Sequence, residues 1–363
     1  MYLGLKIRIY PNKQQKDIIN KNIQGMFYIH NYFIKYANKN KDYDINSWKK
    51  ELFLILKRER AKLYMCEAIS LFKVLDDLKT TFNNYLSNNG GEPKEKSYDR
   101  CYGTFKLSNR NGAINLSATR IYIPLLGSVK CRYSKDITDK KICSIYIRRR
   151  AYDYYEVSVL YEAFVKYLDR TYRKVGIDLG IRKLITTSDG EKYLPFDDLC
   201  KIDDKIANIQ RTMCRKVVGS NNHKKMVIRL EKEYIHKTNY IRDALNKITT
   251  ELIKKYDVIY MEDISIKELV ARQDIKRIRR KIYEYSLNTF REMMEYKTKM
   301  YGKKVVFINR YYPSTQICSE CGFRYNPKES ETFICPCCGC VIDRDLNAAI
   351  NIYRYGIKMD AKK

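Results

Sequence analysis

Histidine is scarce in this chain: His30, His223 and His236 are the only three in 363 residues. They form no pair beside a tyrosine, so covalent strand transfer through an activated tyrosine has no candidate site, and plain hydrolysis is the preferred chemistry. Long apolar runs are missing too. No stretch of about 18 apolar residues occurs, which argues against a membrane-spanning helix. The opening MYLGLKIRIYPNK has neither an apolar h-region nor a cleavage site. The expectation is a soluble, cytoplasmic protein with no membrane partner. Acidic residues are outnumbered, 42 Asp+Glu against 71 Lys+Arg, for a formal net charge of +29. That excess goes far beyond what solubility requires and points to a polyanionic partner.

At this length the chain can hold two or three domains, each with a real core. The 33 tyrosines among the cations suit a surface that neutralises phosphates and stacks on bases, although many of them serve packing. Twelve cysteines, six of them between positions 318 and 340, suit a reducing compartment in which metal competes better than disulfide.

Residues 3–10, LGLKIRIY, alternate apolar and polar and stop at Pro11, which reads as a strand. From Asn12 to about Leu86 the period is helical, with Ile19, Ile23, Met26 and Phe27 in one stripe and Leu63, Ile69, Phe72 and Leu75 in a later one. SNNGGEPKEK, 87–96, is a linker by composition. Strand signals return at 104–107, 120–123, 129–133, 142–149 and 155–161. The simplest arrangement is a small antiparallel barrel or sheet that begins with the N-terminal strand and carries the helical bundle as an insert.

RKVGIDLGIRKLITTSDGEKYL, 173–194, reads as two strands turning at Asp189-Gly190, with Asp178 set in an otherwise apolar strand. It resembles the hairpin that opens a ribonuclease H-like sheet. A carboxylate in that place is expensive to bury unless a cation neutralises it. Two helical segments follow, separated at 219–222, the second with Val227, Leu230, Tyr234, Ile241, Leu245, Ile248 and Leu252 as its expected buried stripe. DVIYME, 257–262, is a strand ending on Glu262; a helix is expected from about Ile278 to Tyr301, and KVVFINR, 304–310, is another strand. An acid at the carboxyl end of a parallel strand lies beside its neighbour's acid.

Cys318-x-x-Cys321, thirteen residues, then Cys335-x-x-Cys338 is the spacing of two thiolate turns facing each other, the tetrahedral sulfur set Zn²⁺ prefers. Cys337 and Cys340 could each substitute for Cys338 in register. Such a site is closed, hence structural. Five residues after Cys338 an acidic pair opens a helix, in which Leu346, Ala349, Ile350 and Tyr353 form the expected core stripe. Asp345, above Ala349 and Ile352, then points toward the sheet, while Asp343 is placed to cap the helix. Asp345 is favoured over Asp343 as the third acid. Asp178, Glu262 and Asp345 together form a set of hard oxygen ligands suited to two Mg²⁺ ions at a phosphodiester.

GIDLG around Asp178, YMEDI around Glu262, then CSECG, CPCCG and DRDLNAA in that order resemble the RuvC-type nuclease core, interrupted by a zinc ribbon, of the transposon-encoded TnpB proteins, compact relatives of the type V CRISPR effectors. KIRIYPNKQQ, KSYDRCYGTFKLSN, IYIPLLGSVKCRY and PSTQICSECG extend the resemblance along the chain. It implies an α/β ribonuclease H-like (RuvC) core interrupted by a zinc ribbon, plus an N-terminal small β-barrel with an inserted helical bundle. It also implies an RNA-guided DNA endonuclease that uses a guide RNA from the transposon end, recognises a short transposon-adjacent motif and cuts a double-stranded DNA target, in a prokaryotic, nucleoid-associated setting and as a monomer. Residue by residue, the catalytic Mg²⁺ ligands fall on Asp178, Glu262 and Asp345, and the structural Zn²⁺ ligands on Cys318, Cys321, Cys335 and Cys338. The implied domains are a barrel at 1–11 and 97–170, a helical insert at 12–96, a nuclease at 171–312 and 341–363, and a zinc ribbon at 313–340.

Two rival readings remain open. GIDLG alone also resembles the phosphate-binding opening of actin-like ATPases, but the second glycine-rich phosphate turn and the adenosine-binding glycine pair are missing. A guide-dependent DNA-binding regulator or transposition accessory protein that does not cleave is the other, opposed only by the intact acids.

Overall fold

Side chains alternate in and out along Tyr2–Tyr10 (β1), with Ile7 and Ile9 buried and Lys6 and Tyr10 exposed. Pro11 stops the strand. Asn12 then starts a helix with a reciprocal cap: its Oδ1 accepts from the Gln15 backbone N–H, and Gln15 Oε1 accepts from the Asn12 N–H, both at 2.9 Å. Helices α1 (Lys13–Asn40), α2 (Ile45–Arg58) and α3 (Ala68–Leu86) follow. Their apolar faces close over Phe33, Trp48 and Phe82, whose neighbouring rings stand 5.8 Å apart.

The computed structural model describes residues 1–361 except 60–62, 64–65, 98–102, 110–111, 151–153, 165–166, 181–182, 195, 197, 264–267, 269–275 and 326–330. Two compact units divide the chain, Met1–Phe164 and Val165–Lys363. In the first, β2 (Gly103–Ser108), β3 (Asn115–Leu116), β4 (Arg120–Ile123), β5 (Gly127–Arg132), β6 (Ile142–Arg149) and β7 (Tyr155–Glu162) join β1 in one antiparallel sheet. Its order is β2-β6-β7-β1-β5-β4-β3. No ladder joins β2 to β3 among the described residues, so the expected barrel is open along that seam.

The second unit is built on a mixed sheet. After β8 (Lys174–Leu179) the chain doubles back through β9 (Ile185–Thr187) and β10 (Lys192–Tyr193), then runs through α4 (Leu199–Cys214) and α5 (Asn221–Lys255) to β11 (Val258–Glu262). Beyond α6 (Lys276–Glu284) and α7 (Leu287–Tyr301) comes β12 (Lys304–Ile308); the hairpin β13 (Thr332–Ile334) and β14 (Val341–Asp343) leads directly into α8 (Arg344–Asp360). The order β10-β9-β8-β11-β12 has antiparallel pairs up to β8 and parallel pairs from β8 onward.

Period-two alternation sorts the two faces of this sheet. Val175, Ile177, Ile259 and Met261 pack with Leu245 and Leu252 of α5 and Phe290 and Met294 of α7. Tyr260 and Ile308 face the other way and pack with Ile352 of α8. Gly176, paired with Tyr260, lies under α8. Asp178 and Glu262 are two residues further along β8 and β11, so alternation puts both on the α8 face.

Three sequence expectations are corrected. In α5 the buried position is Ile235, and Tyr234 is exposed, its hydroxyl accepting from Gln210 at 2.9 Å; in that half the helix packs mainly on α4, which turns the stripe by one residue. The single helix expected at 278–301 is broken at Ser286, which takes the left-handed conformation at φ 50°. In α8 the buried residues are Asn347, Ala348, Ala349, Asn351, Ile352 and Gly356, whereas Leu346, Ile350 and Tyr353 are only partly buried. Small residues are inward because the helix lies so close to β8. No helix among the described residues is long and apolar enough to cross a membrane.

Candidate functional site

The carboxyl ends of two parallel strands and the start of one helix meet at one end of the mixed sheet. Ile177 of β8 pairs with Met261 of β11, so Asp178 and Glu262 are the next residues on adjacent strands. Asp345 is in the first turn of α8, which packs across β8 and β11. Burial, then the neighbouring Glu262 and Asp345 carboxylates, push the Asp178 carboxyl up to about 8, with Arg344 opposing. Burial also raises Glu262, against a hydrogen bond donated to its Oε1 by the Ser314 hydroxyl at 2.5 Å.

Asp343 is engaged otherwise. Its Oδ1 caps α8 by accepting from the N–H groups of Asp345 (3.0 Å) and Leu346 (3.2 Å), and its Oδ2 meets Lys183 Nζ at 2.5 Å and Lys192 Nζ at 3.0 Å. Burial works to raise this carboxyl, yet Lys183, Lys192 and the Leu346 N–H hold it well below the usual range. Both oxygens are committed. Asp345 meets Lys183 at 3.5 Å and is the acid whose charge reaches Asp178.

Three converging carboxylates, one of them pushed toward its neutral form by burial and then by the other two, are a donor set that a hard divalent cation fits. Thr186, paired cross-strand with Asp178 and 1 % exposed, has a hydroxyl with no hydrogen-bond partner, a further polar group on the same face. Among the described residues, the only Cys, His, Asp or Glu ligand atoms that gather in threes or more within 4.8 Å are thiols. The three carboxylates do not gather that closely in this structure.

Those thiols are Cys318, Cys321, Cys335 and Cys338. Cys318 Sγ lies 3.7 Å from Cys338 Sγ, and Cys321 Sγ lies 3.6 Å from Cys335 Sγ. The two turns repeat one bond pattern: Gly322 N–H donates to the Cys318 carbonyl, and Gly339 N–H to the Cys335 carbonyl, each at 3.0 Å. Both glycines have positive φ, 76° and 71°, which lets each turn close. The N–H groups of Cys338 and Cys337 lower the Cys335 thiol, which favours its thiolate form. Soft donors in a closed set of four fit Zn²⁺. Cys337 is exposed, and Cys340 packs with Phe333 and Ile342 in the small core under the turns.

Sequence reasoning missed Ser314, Asn347 and Asn351, which join these two sites. Asn347 Nδ2 donates to the Ile317 carbonyl at 2.8 Å while its Oδ1 accepts from the Ser319 N–H at 2.8 Å. Asn351 Nδ2 donates to the carbonyls of Ser314 (2.8 Å) and Ile317 (2.6 Å). The available signal was two asparagines four residues apart inside the run LNAAIN, polar residues on a face that must be covered.

Comparison with known proteins gives five similarities of note. A family profile described as "Cas12f1-like, TNB domain" matches residues 288–352, and one described as "Probable transposase" matches 155–273. A protein of Streptomyces pristinaespiralis bearing the name "Putative RNA-guided DNA endonuclease" is 27% identical over 380 residues, covering 99% of this chain and 90% of the relative. The Escherichia coli protein InsQ, which bears the same description, is 27% identical over 305 residues, covering 78% of this chain and 73% of its own. In fold, the chain is similar to the protein in a cryo-EM structure of the Cas12f1–sgRNA–target DNA complex, with a TM-score of 0.53 at 16% identity, covering 97% of this chain and 98% of that one.

Proposed function

The chain belongs to the TnpB family, and on that premise we propose that it is an RNA-guided DNA endonuclease that hydrolyses phosphodiester bonds with two divalent metal ions. The carrying observation is the convergence of Asp178, Glu262 and Asp345 on one face of the mixed sheet. Two Mg²⁺ ions held there would generate the attacking water and stabilise the leaving oxygen. The protein's own part is to fix the ligands. β8 and β11 hold Asp178 and Glu262 in register, the Asp343 cap holds the first turn of α8, and Lys183 balances the charge between Asp343 and Asp345.

A RuvC-type core is supported by the strand order, in which an antiparallel hairpin is continued by two parallel strands. The four thiols take one structural Zn²⁺. A guide RNA from the transposon end and a double-stranded DNA target are the partners, and the chain acts as a monomer. In the first unit the open sheet supports a nucleic-acid grip: Tyr10 pairs with Lys130, Lys130 with Arg120, and Arg8 with Arg132, and Tyr10 and Tyr122 are each 48% exposed.

The test is to co-express the chain with its native locus, sequence the RNA that co-purifies, and challenge the complex with plasmids that the RNA matches. Cutting in Mg²⁺ by the wild type, and binding without cutting by Asp178→Ala, is expected. Wild-type complex that binds matched DNA and never cuts it would leave the non-cleaving regulator instead.

A further inference from the structure

The chain leaving β12 passes from Tyr312 through Ser314 to Ile317 and enters the first thiol turn at Cys318. This stretch contains only a single 3₁₀ turn, Ser314–Gln316, so several of its backbone carbonyls lack partners within a ladder. α8 supplies them. Asn351 serves the carbonyls of Ser314 and Ile317, and Asn347 serves Ile317 and the Ser319 N–H. All three side chains are covered: Ser314 is 4 % exposed, Asn347 0 % and Asn351 3 %. The Ser314 hydroxyl then has one visible use. It donates to Glu262 Oε1 at 2.5 Å, across from the strand end where the acids meet.

We propose that Ser314 is a positioning residue for the Glu262 carboxylate, and that Asn351, by fixing the Ser314 backbone, ties that carboxylate to the helix that carries Asp345. This rests on reading Glu262 as a divalent-metal ligand. A carboxylate at a strand end can rotate about its side-chain bonds, and a donor on one oxygen fixes that rotation while leaving the other free for a cation. A group that orients a ligand without touching the ion changes how tightly the ion is held more than it changes the chemistry. The same connection runs on to the zinc turns through Ile317 and Ser319, so the four-thiol module and the acidic site share one rigid segment.

The test uses the RNA-loaded protein and titrates it with Mn²⁺, following free Mn²⁺ by electron paramagnetic resonance, with cleavage against Mn²⁺ concentration as a second readout. Glu262→Gln is the reference and is expected to bind Mn²⁺ poorly; if it binds like the wild type, the metal reading itself fails. Given that reference, Ser314→Ala should weaken Mn²⁺ binding about tenfold or more. Its cleavage rate should approach the wild-type rate once Mn²⁺ is raised. Ser314→Thr, which keeps the hydroxyl, should restore wild-type binding. Asn351→Ala should shift binding in the same direction. Zinc content and melting temperature report folding; should Ser314→Ala not fold, Ser314→Cys, a poor donor of similar size, takes its place against Thr. Unchanged Mn²⁺ affinity in the Ala or Cys variant, or failure of Thr to restore it, overturns the proposal.

Discussion

Gly176 lies against Ala349 so closely that a Cβ on the glycine would sit 2.3 Å from the Ala349 carbonyl oxygen and 2.6 Å from the Tyr353 nitrogen. The obstacle is helix backbone, which cannot rotate away as a side chain can. Further along, Gly356 gives the same clearance to the ring of Tyr260. Two glycines, one on the strand and one on the helix, thus let α8 lie on the sheet, and that approach is what brings Asp345 to Asp178.

Gly176→Ala should therefore lift α8 from β8. We expect a loss of about 1–3 kcal/mol in stability, the usual range for overpacking, together with a fall in Mn²⁺ affinity as the acids separate. Gly4→Ala is the control, because nothing lies within 4 Å of its Cβ direction; its effect should stay within about 0.5 kcal/mol. Thermal melts of the two variants with and without Mn²⁺ decide the matter. Equal melts would mean that the helix has room to spare.

Variants of Asp343 and Asp345 test the proposed division between capping and metal binding. Asp343→Ala removes the acceptor for two helix N–H groups and the carboxylate that Lys192 pairs with, leaving Lys183 to Asp345 alone, so it should cost about 1–2 kcal/mol while leaving measurable cutting. Asp345→Asn should keep the fold and abolish cutting. Melting curves and plasmid cleavage on both variants give the answer, and a reversed pattern would exchange the two roles.

These distinctions were only partly visible in the sequence. The runs holding Val175, Ile177, Ile259 and Met261 read as strands, and the alternation seen in the folded sheet then sends Asp178 and Glu262 to the opposite face. α8 was harder. Periodicity assigns Leu346, Ala349, Ile350 and Tyr353 to the core, but close approach to β8 keeps only Ala349 of these fully buried and selects Ala348 and Gly356 in place of the larger three. Asn347 and Asn351 stand out only as polar residues on a covered face, because the irregular segment that needs their donors is distant in sequence. The break at Ser286 carries no glycine or proline to announce it, and the short β3 is defined only by its pairing with β4.

Zinc should be present at one ion per chain, and elemental analysis checks it. Cys338→Ser should lose the ion and unfold the β13–β14 hairpin, which holds only a small core around Phe333. Cys337→Ser should keep it, since that thiol is exposed and outside the cluster. Zinc loss in the Cys337 variant, with retention in the Cys338 variant, would shift the ligand register.

Acid should act on the second unit through Asp257. Its carboxylate accepts from the Thr171 N–H at 3.0 Å and the Tyr172 N–H at 2.7 Å and pairs with Lys303 Nζ at 2.5 Å, a lysine whose side chain is 2% exposed. Burial acts to raise this carboxyl, but Lys303 and the N–H donors outweigh it and bring it down to about 2. A carboxyl lowered on folding contributes stability that is full above its unfolded value, near 3.9, and disappears as pH falls through the folded value. The contribution is about 2.5 kcal/mol at neutral pH. Urea unfolding followed by circular dichroism should find Asp257→Asn less stable than the wild type by about that much at pH 7, with the gap narrowing between pH 4 and pH 2. A gap that stays constant across this window would mean that packing, and not the charge of Asp257, fastens the 171–172 segment to β11.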